Sequence, residues 1–377
     1  MKFRVERDIL TEAVTWVARG LPARPPVPVL AGVLIDARDT GEITLSAFDY
    51  ETSARTTVPA EVGEAGTVLV LGRLLADIAR NLPNKPIDIE TDGNKVEVTC
   101  GSVHYSLLQM PVAEYPTLPS SPTPTGTVEG TVFTEAVNQV AIAADRGDTL
   151  PILTGVRVEV DGDTMTLLAT DRYRLAMREL TWQPTASDQN SVALIPARTL
   201  SETAKTLGAV ANVDIALGDA AGGDGLVGFD AGQRHMTSRL LDGDYPKVAK
   251  IFPSSSETEA VVGTHELVEA VKRMALVAER NTPVRLRFSE GQVGIEAGTG
   301  DDAQASEVIE ATVHGPDLEI AFNPAYLLDG LGALGRQFAR LAFTAPLKPA
   351  LITGQDTIEE PADTSYRYVL QPVRLAG

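Results

Sequence analysis

The sequence predicts an α+β protein made of three tandem copies of one domain, each with helices packed on one face of antiparallel sheets. Three observations lead there. Val27-Pro28-Val29-Leu30-Ala31-Gly32-Val33, running into Ile43-Thr44-Leu45-Ser46-Ala47-Phe48-Asp49, returns about 125 residues later as Leu150-Pro151-Ile152-Leu153-Thr154-Gly155-Val156, running into Met165-Thr166-Leu167-Leu168-Ala169-Thr170-Asp171. Val70-Leu71-Gly72-Arg73-Leu74-Leu75 returns in the same way as Ile195-Pro196-Ala197-Arg198-Thr199-Leu200, and a more worn third copy stands at Phe322-Asn323-Pro324-Ala325-Tyr326-Leu327. Apolar residues also recur at helical period, separated by stretches that alternate at period two. A period near 125 residues is the size of a whole domain, whereas shorter repeats of about 20–50 residues would mark a solenoid.

Each copy opens with an amphipathic helix. Leu10, Val14, Val17 and Leu21 form its buried face in the first copy. The matching segments are 133–144, with Val137, Val140, Ala141 and Ala144, and 265–278, with Leu267, Val271, Met274 and Ala278. A second helix follows in each, marked by Leu75, Ile78 and Leu82, then Leu200, Ala204 and Leu207, then Leu327, Leu328 and Leu331. Ile87-Asp88-Ile89-Glu90, Val96-Glu97-Val98 and Val156-Arg157-Val158-Glu159-Val160 read as antiparallel strands with one wet face. Asp92-Gly93 and Asp161-Gly162 supply hairpin turns. Glu114-Tyr115-Pro116 and Asp244-Tyr245-Pro246 close the first two copies, each followed by a Ser/Thr/Pro-rich linker, which sets the domains at 1–125, 126–254 and 255–377.

Composition narrows the function. A length of 377 residues suits two or three domains, each with its own core. The opening Met1-Lys2-Phe3-Arg4 is too charged for a secretory signal, and no apolar run approaches the ~20 residues that span a bilayer, so a soluble cytoplasmic protein is expected, with no membrane partner. Cys100 is the only cysteine, which excludes an intramolecular disulfide and a cysteine-based zinc site. The formal net charge of −19 argues on average against a nucleic-acid partner, yet a basic stripe can coexist with an acidic exterior. Arg73 and Arg80, like Arg198 and Lys205 at the equivalent places, are seven residues apart and therefore share a helix face away from the leucines. Arg273 and Arg280 repeat the spacing on the first helix of the third copy, whereas Gly332 stands where Arg80 and Lys205 stand.

Catalytic chemistry is not assembled anywhere. Gly223-Asp224-Gly225-Leu226-Val227-Gly228 matches GxGxxG but has strand-like flanks and no helix opening from it, so it reads as a glycine-rich hairpin. There is no phosphate loop and no nucleophile elbow. His104, His235, His265 and His314 lie apart without ligand spacing, and the paired aspartates at 242/244 and 301/302 fit turn chemistry. No catalytic residue, metal or cofactor is expected.

The opening Met1-Lys2-Phe3, Arg24-Pro25 with Pro28-Val29-Leu30, Ala169-Thr170-Asp171-Arg172-Tyr173-Arg174-Leu175, Asp242-Gly243-Asp244-Tyr245-Pro246, Phe322-Asn323 with Tyr326-Leu327-Leu328, and the Val369-Leu370-Gln371-Pro372-Val373-Arg374-Leu375 ending resemble the bacterial DNA polymerase III beta subunit, the replication sliding clamp, with an actinobacterial flavour. The resemblance covers essentially the whole chain. It implies a head-to-tail homodimer in which six similar domains form a ring, helices lining the hole and sheets forming the wall. Retention of DNA by topology requires weak, sequence-independent backbone contacts. The expected lining is Arg24, Arg73, Arg80, Arg146, Arg198, Lys205, Arg273 and Arg280.

The resemblance also implies a peptide pocket at the junction of the second and third domains, used by the DNA polymerase III alpha subunit, the clamp-loader delta subunit and other clamp-motif proteins. Carried over by motif, it comprises Leu153, Thr170, Arg172, Tyr173, Arg174 and Leu175, then Pro246, Lys250 and Ile251 at the junction. Asn323, Tyr326, Leu347, Pro349, Val369, Leu370, Gln371, Pro372, Val373, Arg374 and Leu375 complete it. Proteobacterial members usually have Gly-His at Arg172-Tyr173 and methionine at Gln371. By the same resemblance, Tyr105 and Leu107 meet Leu276 and Val277 of the other chain. An enzyme or a DNA-free scaffold are the competing classes, and retention on circular against linear DNA separates the scaffold from the clamp.

Overall fold

A computed structural model describes residues 1–147, 149–207, 210–218, 225–248, 251–253, 255–278, 282–298 and 303–374. The chain forms two compact units that divide the middle copy between them: 1–131 with 183–189 and 205–240, and 132–182 with 190–204 and 241–377.

The first unit carries two antiparallel sheets. One has five strands in the order Glu61–Glu64, Lys2–Val5, Ile87–Asp92, Lys95–Cys100, Val103–Leu108. The other has nine, in the order Gln183–Pro184, Gly126–Glu129, Asn212–Leu217, Leu226–Ala231, Arg234–Arg239, Thr52–Pro59, Glu42–Phe48, Gly32–Arg38, Gly66–Leu71. Antiparallel pairing of Arg234–Arg239 with Thr52–Pro59 makes this one continuous sheet shared by the first and middle copies. Helices α1 (Arg7–Ala18) and α2 (Gly72–Asn81) pack together, with Leu10, Val14 and Val17 of one and Leu75 and Ile78 of the other buried. Burying each such side chain stabilises by roughly 1.5–3 kcal/mol. Gly72 begins α2 because a Cβ there would lie 2.5 Å from the side chains of Leu21 and Val33.

In the second unit the nine-stranded sheet runs Asn190–Pro196, Gly155–Asp161, Thr164–Thr170, Arg174–Thr181, Asp363–Leu370, Ala350–Gln355, Phe338–Phe343, Thr258–Gly263, Thr312–His314. Here Arg174–Thr181 pairs with Asp363–Leu370, joining the middle and third copies. A four-stranded sheet follows the order Ala305–Glu310, Gln292–Ala297, Val284–Ser289, Leu318–Phe322. Helices α3 (Gly130–Ala141) and α4 (Ala197–Leu207) belong to the middle copy, and α5 (Thr264–Ala275) and α6 (Pro324–Gly332) to the third.

One hydrogen bond recurs in all three copies. The N–H groups of Met110, Leu241 and Val373 donate to the carbonyls of Leu69, Leu194 and Ala321, each at 2.8 Å. Each acceptor stands three residues before the second helix of its copy, so this bond ties the end of each copy's last strand to the strand that feeds that helix.

Two expectations about boundaries need correction. The first helix of the middle copy starts and stops three residues earlier than the apolar spacing suggested, and that of the third copy starts one residue earlier and stops three earlier. The apolar face continues because the chain tightens into a further turn with three-residue bonds, from Ala143 N–H to Val140 O and from Val277 N–H to Met274 O. In the hairpins Asp92 and Asp161 are the last paired residues, opposite Lys95 and Thr164, so the turn residues are Gly93-Asn94 and Gly162-Asp163. Glycine at φ 60° and 59° takes the left-handed first position, which suits a tight two-residue turn. The glycine-rich motif is described only from Gly225 onward, where it feeds the strand Leu226–Ala231 and no helix.

Candidate docking groove and basic faces

The groove in the second unit is organised by the turn Asp171-Arg172-Tyr173 joining two paired strands. Asp171 Oδ1 accepts the N–H groups of Tyr173 and Arg174, both at 3.0 Å, and Thr170 Oγ1 accepts the Arg172 N–H at 3.2 Å. These bonds hold Arg172 at φ 80°, a left-handed conformation that a non-glycine residue rarely adopts. The Arg174 side chain is buried and donates to Asp171 Oδ2 at 2.9 Å and to Asp329 Oδ2 at 2.6 Å. Its guanidinium lies 4.3 Å from the ring centre of Tyr326, and Tyr326 stacks with Tyr173 at 6.3 Å between centroids. Asn323 caps α6 through Oδ1, accepting from the N–H groups of Ala325 and Tyr326, which sets that ring at the helix start. Tyr368 donates from its hydroxyl to the Tyr326 carbonyl at 2.8 Å, and the Gln371 N–H donates to the Tyr173 carbonyl at 2.8 Å.

Beneath this turn lies an apolar cluster of Leu153, Leu168, Leu175, Leu194, Tyr245, Val248 and Val369. Ile152, Met177, Leu241, Phe252 and Leu351 pack against it. Tyr245 accepts the Thr170 N–H at its hydroxyl, 3.0 Å away, and burial pushes that hydroxyl up to about 12. Large apolar side chains next to these residues in the chain remain exposed: Tyr173, two before Leu175, at 54 %, Ile251, beside Phe252, at 44 %, and Leu347, four before Leu351, at 61 %. Pro246, Val373, Gln371 and Arg374 are exposed too, and Pro349 is half-buried.

The structure brings Leu153, Leu175 and Val369 together in the cluster, and Thr170, Arg172, Tyr173, Arg174, Asn323, Tyr326 and Gln371 together around the turn, in different roles. Leu153, Leu175 and Val369 form the buried floor, while Arg172, Tyr173, Ile251 and Leu347 stand on the surface. Thr170 and Arg174 are structural struts whose polar atoms are spent internally. Alternation turns Leu370 to the opposite face of the sheet, where it is fully buried, and Pro372 is buried as well. Lys250 and Leu375 lie outside the described residues. Sequence reasoning missed Leu168, Met177, Leu194, Val248 and Asp329. Counting by twos from Leu175 reaches Met177, but the partner strand's Leu168 needs the register, and Asp329 needs the approach of α6.

The basic residues divide by what holds them. Arg24, Arg146 and Arg198 are exposed and have no ion pair among the described residues. Arg73 is exposed and donates to the Leu21 carbonyl at 3.1 Å, and Lys205 is exposed on α4. Arg80 pairs with Asp77 on its own helix, and Arg273 forms a two-pronged pair with Glu307 at 2.8 and 2.6 Å. Those two are thus partly neutralised by local acids, which the seven-residue spacing could not register. Arg280 lies outside the described residues.

Each unit also ends in an open sheet edge. In the first, Val103–Leu108 presents Tyr105 and Leu108, the latter 68 % exposed. Leu107 turns into its own core at 7 % exposure, so the exposed leucine is one place further along than expected. In the second unit Ala305–Glu310 is the edge, with Val308 exposed, and Leu276 just beyond α5 is 85 % exposed with Val277 half-buried.

Family models now decide the relationship. Models of the DNA polymerase III beta subunit match in chain order, its N-terminal domain over 1–119, its central domain over 127–247 and its C-terminal domain over 249–374. The chain belongs to the DNA polymerase III beta subunit family. Within that family the beta sliding clamp of Streptomyces coelicolor is 56 % identical over 377 residues, covering all of both chains. Among solved structures, a Pseudomonas aeruginosa sliding clamp bound to griselimycin superposes with a TM-score of 0.91 at 28 % identity, and the Bacillus subtilis clamp does so equally well, each over the full length of both chains. Three clamp domains, α+β with antiparallel sheets, and the role of a DNA sliding clamp for polymerase processivity follow from this membership.

Proposed function

We propose that two copies of the chain close head to tail into a ring around duplex DNA, and that the groove tethers partners to it. The partners are the DNA polymerase III alpha subunit, the clamp-loader delta subunit and other proteins carrying a clamp motif. The protein is a non-catalytic, cytoplasmic subunit in this reading, with domains at 1–125, 126–254 and 255–377. One observation carries the docking role: the segments that lead into a buried apolar cluster keep Leu347, Tyr173 and Ile251 exposed, each of which gains by being covered. Two or three ligand side chains buried there, at roughly 1.5–3 kcal/mol each less the cost of ordering the peptide, give micromolar binding, which suits partners that exchange.

Closure uses the two open edges, Val103–Leu108 of one protomer against Ala305–Glu310 of the next, with Tyr105 and Leu107, and exposed Leu108 beside them, meeting Leu276 and Val277. Arg24, Arg73, Arg146 and Arg198, joined by Lys205 and Arg280, supply the weak phosphate contacts that let a ring slide, with Arg80 and Arg273, already paired with Asp77 and Glu307, as secondary members. The test is retention of loaded protein on circular DNA. It should stay bound through gel filtration and leave when the DNA is cut, whereas equal loss from circular and linear DNA would overturn the ring.

A further inference from the structure

The first unit repeats the geometry of the groove with different side chains. In the second unit Leu175 lies opposite Val369 and Leu168 opposite Met177. The matching register in the first unit sets Ser53 opposite Thr237 and Ser46 opposite Arg55. The turn beside them is the same as well. Asp49 Oδ1 accepts the N–H groups of Glu51 and Thr52 as Asp171 Oδ1 accepts those of Tyr173 and Arg174. Tyr50 and Arg172 are the only non-glycine residues at positive φ among the described residues. The Arg239 N–H donates to the Glu51 carbonyl at 2.8 Å, as Gln371 does to Tyr173.

A cavity of about 510 Å³ lies over this face, walled by Leu118 and Pro119 of the linker and by side chains of four strands. Its charges are unevenly satisfied. Asp36 is engaged by Arg38 at 2.7 Å and Thr67 at 3.0 Å, and the lining residue His235 has its Nδ1 2.6 Å from Asp230, which lies outside the lining. Arg55 is exposed and makes no side-chain hydrogen bond or ion pair among the described residues. The buried hydroxyls of Ser53 and Thr237 bond to each other at 2.7 Å. An apolar side chain laid here would strip Arg55 of water and return nothing, whereas a carboxylate would give it charge-assisted hydrogen bonds.

We propose that this cavity is a second docking site, for an extended peptide segment bearing Asp or Glu side chains, with Arg55 as the anchor. The peptide form of the occupant rests on the groove reading above; its acidity rests on Arg55 and the hydroxyl-lined wall. Calorimetry with a blocked Asp-Ser-Asp-Ser-Asp peptide, its Asn counterpart and inorganic phosphate tests it. The acidic peptide should bind, the Asn peptide should not, and Arg55→Ser should weaken binding about 10-fold or more while Arg55→Lys keeps most of it. Absence of acidic-peptide binding, indifference to Arg55→Ser, or binding of phosphate alone would overturn the proposal. An apolar clamp-motif peptide is titrated alongside: its failure to bind the native chain would sink the groove reading separately. As a second arm, Ser46→Leu with Ser53→Leu, Arg55→Met and Thr237→Val should lose the acidic peptide and take up a second equivalent of the apolar one.

Discussion

Asp171 holds Arg174 at two places, accepting its backbone N–H at Oδ1 and its Nε at Oδ2, 3.0 and 2.9 Å away. Both side chains are buried, so the pair is fully committed. Asp171→Ala leaves a buried guanidinium with Asp329 as its remaining carboxylate and frees two backbone donors. A loss of about 3–5 kcal/mol is expected from urea unfolding. Asp171→Asn keeps an acceptor for those donors and should cost less. A loss below ~1 kcal/mol for the alanine variant would show that the turn is held by other bonds.

Left-handed strain at Arg172 and Tyr50 predicts an opposite sign. Holding a non-glycine residue at φ 80° or 75° costs of order 1 kcal/mol or more. Arg172→Gly and Tyr50→Gly should therefore leave thermal stability unchanged or raise it by up to ~1 kcal/mol, because relief of strain offsets the added freedom of the unfolded chain. Arg172→Val should destabilise.

Alkaline stability follows from Tyr245 and Tyr115, whose hydroxyls burial pushes up to about 12. An unfolded tyrosine ionises near pH 10. Stability from these groups is full below pH 10 and is lost as pH rises through about 12, by roughly 2–3 kcal/mol for Tyr245. Thermal midpoints across pH 9–12 should fall less steeply in Tyr245→Phe. The slope should not vanish, since burial also raises Tyr366 and Tyr368.

Leu276 and Leu108 are so exposed that charged replacements should not disturb a single chain. Leu276→Lys with Leu108→Lys should give monomers by light scattering at an unchanged circular-dichroism spectrum. A persistent dimer would move the interface elsewhere.

Salt dependence of DNA binding separates free cations from paired ones. Removing a side chain that touches one phosphate should reduce the slope of log K against log salt by roughly 0.9. Arg24→Gln and Arg198→Gln should do so, whereas Arg80→Gln and Arg273→Gln, already paired with Asp77 and Glu307, should change it less.

Much of the fold was legible because three copies check one another: the buried faces of α1, α2, α5 and α6 lie largely where apolar spacing put them, although Leu328 and Ala278 are only half-buried. Register between paired strands was not legible. It decides that Leu168 joins the groove floor, that Leu370 leaves it, and that Leu108 rather than Leu107 is exposed. Ion pairing was equally hidden, because Glu307 reaches Arg273 from a strand 34 residues away. The contrast between Leu175 with Val369 and Ser53 with Thr237 was present in the repeats, but it acquires meaning only once both pairs are seen opposite each other in equivalent strands.

The central claim is that the apolar groove is the port for partner peptides. Calorimetric titration of a short peptide with one polar anchor and two or three large apolar side chains tests it most directly, with Leu347→Asp plus Ile251→Asp as the comparison. Both changed residues are exposed, so the variant should stay folded and remain on circular DNA. The account predicts one micromolar site per native chain and none in the variant; undiminished binding to the variant would contradict it.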